Sequence, residues 1–227
     1  PANAKVIHVD PDGSVIGRNR GVDVGIVGSI SEVAAQLTEE ASKHQWGKLD
    51  WLDVLSSEKS DQENELSSLA LEESPMHAMF VHKTVSQHLK DDDILVFDGG
   101  DFCHFGRAYY KSNQPDSWWY LPTSGMLGQS IPTAIAAKLA YPNRRVVMFT
   151  GDGAFGFNGM EYDTAVRHHI PIVGIMGNDS AWGIDKQIQI GVFGKSVATD
   201  LLPSRYDQVV KALGGHGELI EHPSELS

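Results

Sequence analysis

The chain has 227 residues, 41% of them hydrophobic, so it is long enough and apolar enough to bury a core. Its 18 Lys and Arg residues face 30 Asp and Glu residues, and the formal charge of −12 opposes binding to nucleic acid backbones or anionic membrane surfaces. The sequence has no apolar run that would span a bilayer, and its single cysteine, Cys103, excludes an internal disulfide and favours a reducing, cytoplasmic location.

Residues 1–43 contain two strand patterns and one helix pattern. Apolar runs at residues 5–10 and 22–27 predict strands, and residues 31–42 predict a helix with Ser31 as its N-cap. Because three elements are too few for a domain, we expect this segment to be the C-terminal tail of a Rossmann-like α/β domain that lies upstream. The chain starts without Met and stops where a helix pattern begins, so we expect both ends to be internal to a longer protein.

Residues 44–74 have the composition of a linker. Residues 56–73 are rich in Ser and Glu and almost free of aromatic side chains, which is typical of a solvated segment. A helical stretch is expected only at residues 65–71. We therefore place the domain boundary in this linker.

Residues 75–227 alternate between helix and strand patterns. The strand patterns are continuous apolar runs, which favours a parallel sheet covered on both faces, that is, a doubly wound α/β fold. In such sheets ligands bind beyond the carboxyl ends of the strands, so the loops after Phe97, Thr150 and Met176 should carry the chemistry. The predicted helices are 76–89, 131–140, 160–168 and 206–213, and the predicted strands are 94–97, 145–150 and 172–176.

The segment from Gly151 to Gly156 follows the strand at 145–150 and satisfies the G-x-G-x-x-G pattern of dinucleotide-binding domains. An NAD-binding dehydrogenase domain is therefore one alternative, with Asp179 placed to hold a ribose hydroxyl. However, Asp152 stands between the glycines, where its charge would repel a diphosphate by about 4 kcal/mol at about 4 Å and an effective dielectric of 20. A divalent cation between the two would turn that repulsion into attraction.

A second metal ligand is available at the end of the next predicted strand. Asn178 comes 26 positions after Asp152, and neighbouring parallel strands bring their ends to the same edge of a sheet. Mg²⁺ prefers carboxylate, carbonyl, water and phosphate oxygens. Asp152, the amide oxygen of Asn178 and the backbone carbonyl of Ser180 would supply such a set, and a helix expected to begin near Asn158 would add a favourable dipole.

The spacing of Gly151-Asp152-Gly153 and Asn178 resembles the cofactor motif of thiamine diphosphate (ThDP)-dependent enzymes of the acetolactate synthase, 2-hydroxyacyl-CoA lyase and benzaldehyde lyase type. Residues 5–12 and 22–27 resemble the end of that family's central, flavoprotein-like domain. Residues 124–132 resemble its pyrimidine-supporting loop. The similarity covers nearly the whole chain except the linker.

The resemblance implies a role for each matching residue. The Gly125 carbonyl would accept a hydrogen bond from the 4′-amino group of ThDP, Leu127 would be the apolar wedge that bends the cofactor, and the segment from Asp98 to Phe102 would approach the diphosphate. Mg²⁺ would be bound by Asp152, Asn178 and Ser180, with Ala181 as the alternative carbonyl because the loop after Asn178 differs in length from some relatives. The implied cofactor-binding set is Gly100, Asp101, Phe102, Gly125, Met126, Leu127, Gly151, Asp152, Gly153, Ala154, Asn178, Ser180, Ala181 and Trp182.

The implied activity is that of an acetolactate synthase-like carboligase acting on 2-keto acids. A 2-hydroxyacyl-CoA lyase or oxalyl-CoA decarboxylase shares the same motifs and is the main alternative, and a non-catalytic relative of the same fold is a third. The family resemblance also implies that the activating glutamate lies on an N-terminal domain of the partner subunit, so we expect no catalytic residue in this chain. A homodimer or homotetramer with its active site between chains follows from the same resemblance.

Overall fold

A computed structural model of the chain describes residues 3–47, 49–120 and 125–226. These residues form two compact units that divide between Ser56 and Ser57. The assignment of residues 1–43, 44–74 and 75–227 to a domain tail, a linker and a cofactor domain remains a prediction.

The first unit contains a parallel pair of strands, β1 (Ile7–Asp10) and β2 (Val24–Val27), followed by helix α1 (Ile30–Ser42). The prediction that Ser31 caps this helix is wrong. Ser29 occupies the cap position with extended backbone, and its hydroxyl lies 2.8 Å from that of Ser31, which already belongs to the first turn. In the described part of this unit none of the strand or helix residues is buried, so these apolar faces form no core of their own.

Helix α2 (Asp50–Ser68) occupies most of the predicted linker. It begins well before the helical stretch expected at residues 65–71, because Leu, Glu, Lys and Gln favour helix even where few apolar contacts are available. Its first turn carries two carboxylates, Asp50 and Asp53, which suit the positive end of the helix dipole. No residue of the helix is buried, in keeping with the solvated character expected from its composition.

The second unit contains α3 (Ala78–Ser86), β3 (Ile94–Phe97), α4 (Asp101–Tyr109), β4 (Trp118–Tyr120), α5 (Ser130–Ala140), β5 (Val146–Gly151), α6 (Asp152–Asn158), α7 (Glu161–Arg167), β6 (Val173–Gly177), α8 (Gly183–Phe193), α9 (Tyr206–Ala212) and a 3₁₀ turn (Pro223–Glu225). It is built on a four-stranded sheet of order β4-β3-β5-β6 in which every neighbouring pair is parallel. All predicted helices and strands of this region are present; the strand at 94–97 has the predicted ends, and the ends of the others are shifted. Helices α4, α6 and α8 and strand β4 were not predicted.

Alternate residues of β3 and β5 point to opposite faces of the sheet, and helices cover both faces. One hydrophobic cluster packs against α5 and α7, and the other packs against α3 and α4. This arrangement confirms the doubly wound α/β fold expected from the continuous apolar strands. The first cluster contains Ile94, Val96, Val146 and Met148, and the second contains Leu95, Phe97, Val147 and Phe149.

His82 of α3 is fully buried beneath the second cluster. Its Nε2 donates to the Phe102 carbonyl oxygen at 2.7 Å, and its Nδ1 lies 3.3 Å from the Tyr110 hydroxyl. Burial lowers the pKa of His82 to about 4, because the charged ring would lose its hydration. The imidazole is therefore neutral at physiological pH and ties α3 to α4.

The buried imidazole predicts a pH-dependent stability. The folded-state pKa of about 4 lies below the usual histidine value of 6.5, so the contribution of His82 is complete above pH 6.5 and is lost as the pH falls toward 4. Between pH 7 and pH 4.5 we expect the wild type to lose about 2 kcal/mol more of its unfolding free energy than His82→Gln, which can donate to the same carbonyl but cannot titrate. Urea unfolding at several pH values measures the difference, and parallel pH profiles for the two proteins would contradict it.

Candidate cofactor site

The carboxyl ends of three neighbouring strands meet at one edge of the sheet. Gly151 of β5 pairs with Gly177 of β6, so Asp152 and Asn178 each follow the last pair of two adjacent strands. Asp98 follows β3, the neighbour of β5 on its other side. The structure thus brings the two predicted side-chain ligands of the metal to adjacent positions.

Asp152 is a buried carboxylate with one unpartnered oxygen. The residue is 2% exposed, and Oδ2 has no hydrogen-bond partner among the described residues. Burial raises the pKa of Asp152 and the charge of Asp179 raises it further, while the backbone amides of Gly153 and Ser180 lower it. A buried oxygen with no donor is the feature that a cation would satisfy.

The helix that directly follows β5 was not predicted. The sequence placed the first helix after the turn near Asn158, which corresponds to α7 (Glu161–Arg167), whereas α6 already runs from Asp152 to Asn158. Two glycines in α6, Gly153 and Gly156, lower its helix propensity, so the sequence pattern did not indicate this helix. As a result Asp152 itself lies in the first turn, where a carboxylate is favoured by the unpaired N–H groups.

The loop after β6 is held by hydrogen bonds that sequence reasoning missed. Oδ1 of Asn178 accepts from the Ser180 amide at 3.2 Å, and Nδ2 donates to the Ser204 carbonyl at 3.3 Å. The Ser180 carbonyl, the predicted backbone ligand, accepts from the Leu201 amide at 2.7 Å, and Ala181 pairs with Asp200. The Ser180 hydroxyl also lies 3.5 Å from Oδ1 of Asn178, whereas the Ser180 carbonyl, with one backbone donor, has a second lone pair available.

The predicted pyrimidine-supporting loop lies between β3 and α6. Its first residue, Ser124, lies outside the described residues. Gly125 has a positive φ of 58° with open space beside it, and Met126 is exposed. The Leu127 side chain lies directly on Gly99, where any Cβ would collide with it. The apolar side chain expected to bend the cofactor therefore lies at the same sheet edge as Asp152.

The segment from Asp98 to Phe102 differs from its predicted role in part. The Asp98 carboxylate, expected near the diphosphate, instead accepts hydrogen bonds from the amides of Gly99, Gly128 and Ser130. The Phe102 ring packs against the His82 ring, with centroids 4.5 Å apart, and on Gly177, where a Cβ would lie 2.5 Å from the ring. Gly100 has a φ of 97° and open space beside it, and its close backbone approach to the diphosphate stays a prediction.

Trp182 forms a wall over the turn between β5 and α6. A Cβ on Gly153 would lie 2.8 Å from the indole, so the ring covers this glycine closely. The indole also meets the Phe157 ring edge to face at 5.8 Å. Ala154 and Ala181 are both buried beside this contact. Small residues at these positions allow the backbone of the turn to lie close to the loop after β6.

The site is acidic. Burial raises the pKa of Asp101 and Asp179 raises it further, while His104 lowers it; the Asp101 carboxylate also accepts from Gln187 at 3.1 Å. Within the described ranges, no three His, Cys, Asp or Glu side chains form a group that could hold a metal ion. A cation bound here would need amide and carbonyl ligands beside Asp152, and Asn178 and Ser180 are residues of that kind. The residues present therefore fit a divalent cation, and without one their charge would repel a diphosphate.

Comparison with known proteins gives a family match. The family described as "Thiamine pyrophosphate enzyme, C-terminal TPP binding domain" matches residues 98–227. An acetolactate synthase large subunit from Mycobacterium tuberculosis is 38% identical over 209 residues, which cover 91% of this chain and 38% of that protein. A 2-hydroxyacyl-CoA lyase 2 from Caenorhabditis elegans is 32% identical over 96% of this chain and 35% of its own length.

A sulfoacetaldehyde acetyltransferase from Alcaligenes xylosoxydans xylosoxydans is 27% identical over the whole chain and 42% of its own length. The chain thus spans well under half of the length of each of these relatives.

Of the helices in the described ranges, none has both the length and the apolar character that crossing a membrane requires.

The contact between Gly153 and Trp182 predicts a position-specific effect of added methyl groups. Gly153→Ala must displace the indole, and we expect it to lower the unfolding free energy by about 1–3 kcal/mol. Gly156→Ala in the same helix meets open space, and we expect it to be neutral or stabilising by up to about 1 kcal/mol. Chemical denaturation of both variants measures the difference, and equal effects would show that the indole does not restrict position 153.

Proposed function

The chain belongs to the thiamine pyrophosphate-dependent enzymes, and we propose that the edge formed by Asp152, Asn178 and Leu127 holds thiamine diphosphate and Mg²⁺ in this protein. The matched domain is the one that binds thiamine pyrophosphate in this family, and Mg²⁺ is its usual partner metal. The observation that carries the proposal is the unpartnered, buried Oδ2 of Asp152, which directly follows β5, the strand that pairs with the one leading to Asn178.

The metal end of the site uses three groups of this chain. The Asp152 carboxylate, the Asn178 amide oxygen and the Ser180 carbonyl would hold the cation, and the cation would offset the charge of Asp152 toward the diphosphate. Ala181 is the alternative source of the carbonyl. The amides at the start of α6 add donors for the diphosphate.

The other end of the site orients the cofactor. Leu127 would support the bent form of ThDP, and the Gly125 carbonyl would accept a hydrogen bond from its 4′-amino group. When bound, ThDP supplies an electron sink for making and breaking C–C bonds beside a carbonyl group. The chain itself contributes positioning, which is a substantial part of catalysis when reacting groups are held close together.

The proposed activity is carboligation of 2-keto acids, as in the acetolactate synthase relative. Support comes from that relative's 38% identity, the highest among those described. Cleavage of 2-hydroxyacyl-CoA is the second candidate, supported by a 32% identical lyase that covers 96% of the chain. An NAD-binding domain is not supported, because the family match and the buried acid between the glycines both oppose it.

The assembly that this function requires has further parts. We propose a homodimer or homotetramer in which the partner subunit's N-terminal domain supplies the activating glutamate, in accordance with the family resemblance. A cytoplasmic location is proposed from the buried, reduced state of Cys103, whose thiol donates to the Phe149 carbonyl at 3.2 Å.

Cofactor binding to the full-length protein tests the metal site. We expect ThDP to bind only with Mg²⁺ present, and Asp152→Ala to weaken binding by about 100-fold or more, because it removes the only charged metal ligand. Asp163→Ala removes an exposed carboxylate of α7 that pairs with Arg167, and it should bind as the wild type does. Calorimetric titration with and without EDTA measures both effects. ThDP binding that survives EDTA, or an Asp152→Ala variant with normal affinity, would exclude the proposed metal site.

Product analysis with the full-length protein tests the substrate class. With ThDP and Mg²⁺ supplied, we expect pyruvate to be converted to acetolactate, and Asp152→Ala to abolish the reaction. Incubation with a 2-hydroxyacyl-CoA should give little cleavage in comparison. Efficient cleavage of the C–C bond between the hydroxyl-bearing carbon and the thioester carbonyl, together with no reaction of pyruvate, would favour the lyase instead.

A further inference from the structure

The Asp98 carboxylate lies at the carboxyl end of β3 and is fully buried. Its Oδ1 accepts from the Gly99 amide at 2.9 Å and from the Gly128 amide at 3.0 Å. Its Oδ2 accepts from the Ser130 amide at 3.0 Å and approaches the Gly128 amide at 3.2 Å. Hydrogen bonds from N–H groups to an ionised carboxylate are among the stronger ones in proteins. One side chain therefore fixes three backbone amides.

Two of these amides belong to the loop that carries Leu127. Gly128 directly follows Leu127, and Ser130 begins α5 two residues later. The Leu127 side chain lies on Gly99, the residue next to Asp98. On its other side the loop is held by Asn158, whose Nδ2 donates to the Gly128 carbonyl at 2.9 Å. The loop is thus fixed between β3 and α6 by two polar side chains.

Asp98 and Asp152 contrast in the use of their oxygens. Both carboxylates are buried at the same sheet edge, but each oxygen of Asp98 has backbone donors, whereas Oδ2 of Asp152 has none. Asp152 therefore retains an oxygen for a cation. Asp98 has its oxygens turned toward the protein backbone and away from a ligand role.

We propose that Asp98 is a positioning residue for the pyrimidine end of the cofactor. By fixing the amides of Gly128 and Ser130, its carboxylate sets the place of Leu127, and it acts through the loop without contacting the cofactor. This proposal rests on the proposed cofactor site. It assigns the two ends of that site to different carboxylates, the diphosphate end to Asp152 and the pyrimidine end to Asp98.

The test uses Asp98→Asn in the full-length protein. The new amide group would face a backbone N–H, so at least one of the loop amides loses its acceptor. Asp93→Asn is the control, because Asp93 is another buried carboxylate, 3% exposed, which precedes the opposite end of the same strand. Asp93 accepts from the Lys90 amide at 2.7 Å and pairs with Arg145, so this variant weakens a buried carboxylate's contacts without touching the loop. Hydrogen exchange at the amides of Gly128 and Ser130 should accelerate in Asp98→Asn and stay unchanged in Asp93→Asn.

Binding of two different ligands distinguishes effects on the diphosphate end of the site from effects on the pyrimidine end. ThDP with Mg²⁺ uses both ends, whereas inorganic pyrophosphate with Mg²⁺ uses only the diphosphate end. We expect Asp98→Asn to weaken ThDP binding by about tenfold and to leave pyrophosphate binding within about twofold. Leu127→Ala should give the same split, and the double variant should lose no more than the stronger single variant, because both act through one loop.

Several results would overturn the proposal: unchanged exchange at both amides, equal weakening of both ligands, or additive losses in the double variant. If Asp98→Asn does not fold, Asn158→Ala serves instead, because it removes the hydrogen bond to the Gly128 carbonyl on the other side of the same loop. It should weaken ThDP binding more than pyrophosphate binding, by a smaller factor than Asp98→Asn, and equal effects on the two ligands would also overturn the proposal. If the wild type binds neither ligand, the proposed function itself fails. The exchange measurement still shows in that case whether Asp98 holds the loop.

Discussion

A buried carboxylate without enough donors is the constraint on which the site depends. Asp152 loses hydration on folding, which raises its pKa, and neither the short helix α6 nor the two nearby amides supplies a donor for its Oδ2. Asp179 adds a like charge nearby. A divalent cation would resolve this imbalance and would make the edge attractive to a diphosphate.

The sheet brings the other residues of the proposed site to the same edge. Parallel pairing of β3, β5 and β6 places three chain turns side by side, and small residues let these turns approach one another. Gly153 admits the Trp182 ring, Gly177 admits Phe102, and Gly99 admits Leu127. The acid at the end of β3 faces backbone amides, whereas the acid at the end of β5 has one oxygen without a donor, so the same residue type has two different environments at one edge.

Features encoded in local sequence were predictable. Continuous apolar runs located β3, β5 and β6, and the spacing of Asp152 and Asn178 predicted their adjacency because strand order in a parallel sheet follows from its crossovers. Helices α4, α6 and α8 contain glycines that lower helix propensity, and β4 has only three residues. The partners of Asp98 and of the Ser180 carbonyl come from distant segments, at residues 128–130 and at Leu201, and no local pattern indicates such tertiary contacts. The same holds for Phe102, whose packing against His82 and Gly177 depends on how three elements meet.

Family membership and site geometry both support the proposal that this edge holds a metal-bound diphosphate. The most direct measurement is the anomalous diffraction signal of Mn²⁺, a substitute for Mg²⁺, in crystals of the full-length protein grown with ThDP. The expected result is one metal peak within about 2.2 Å of Oδ2 of Asp152 and of Oδ1 of Asn178, in contact with the diphosphate. A metal peak elsewhere, or bound ThDP with the Asp152 and Asn178 side chains pointing away from each other, would contradict the proposed metal site.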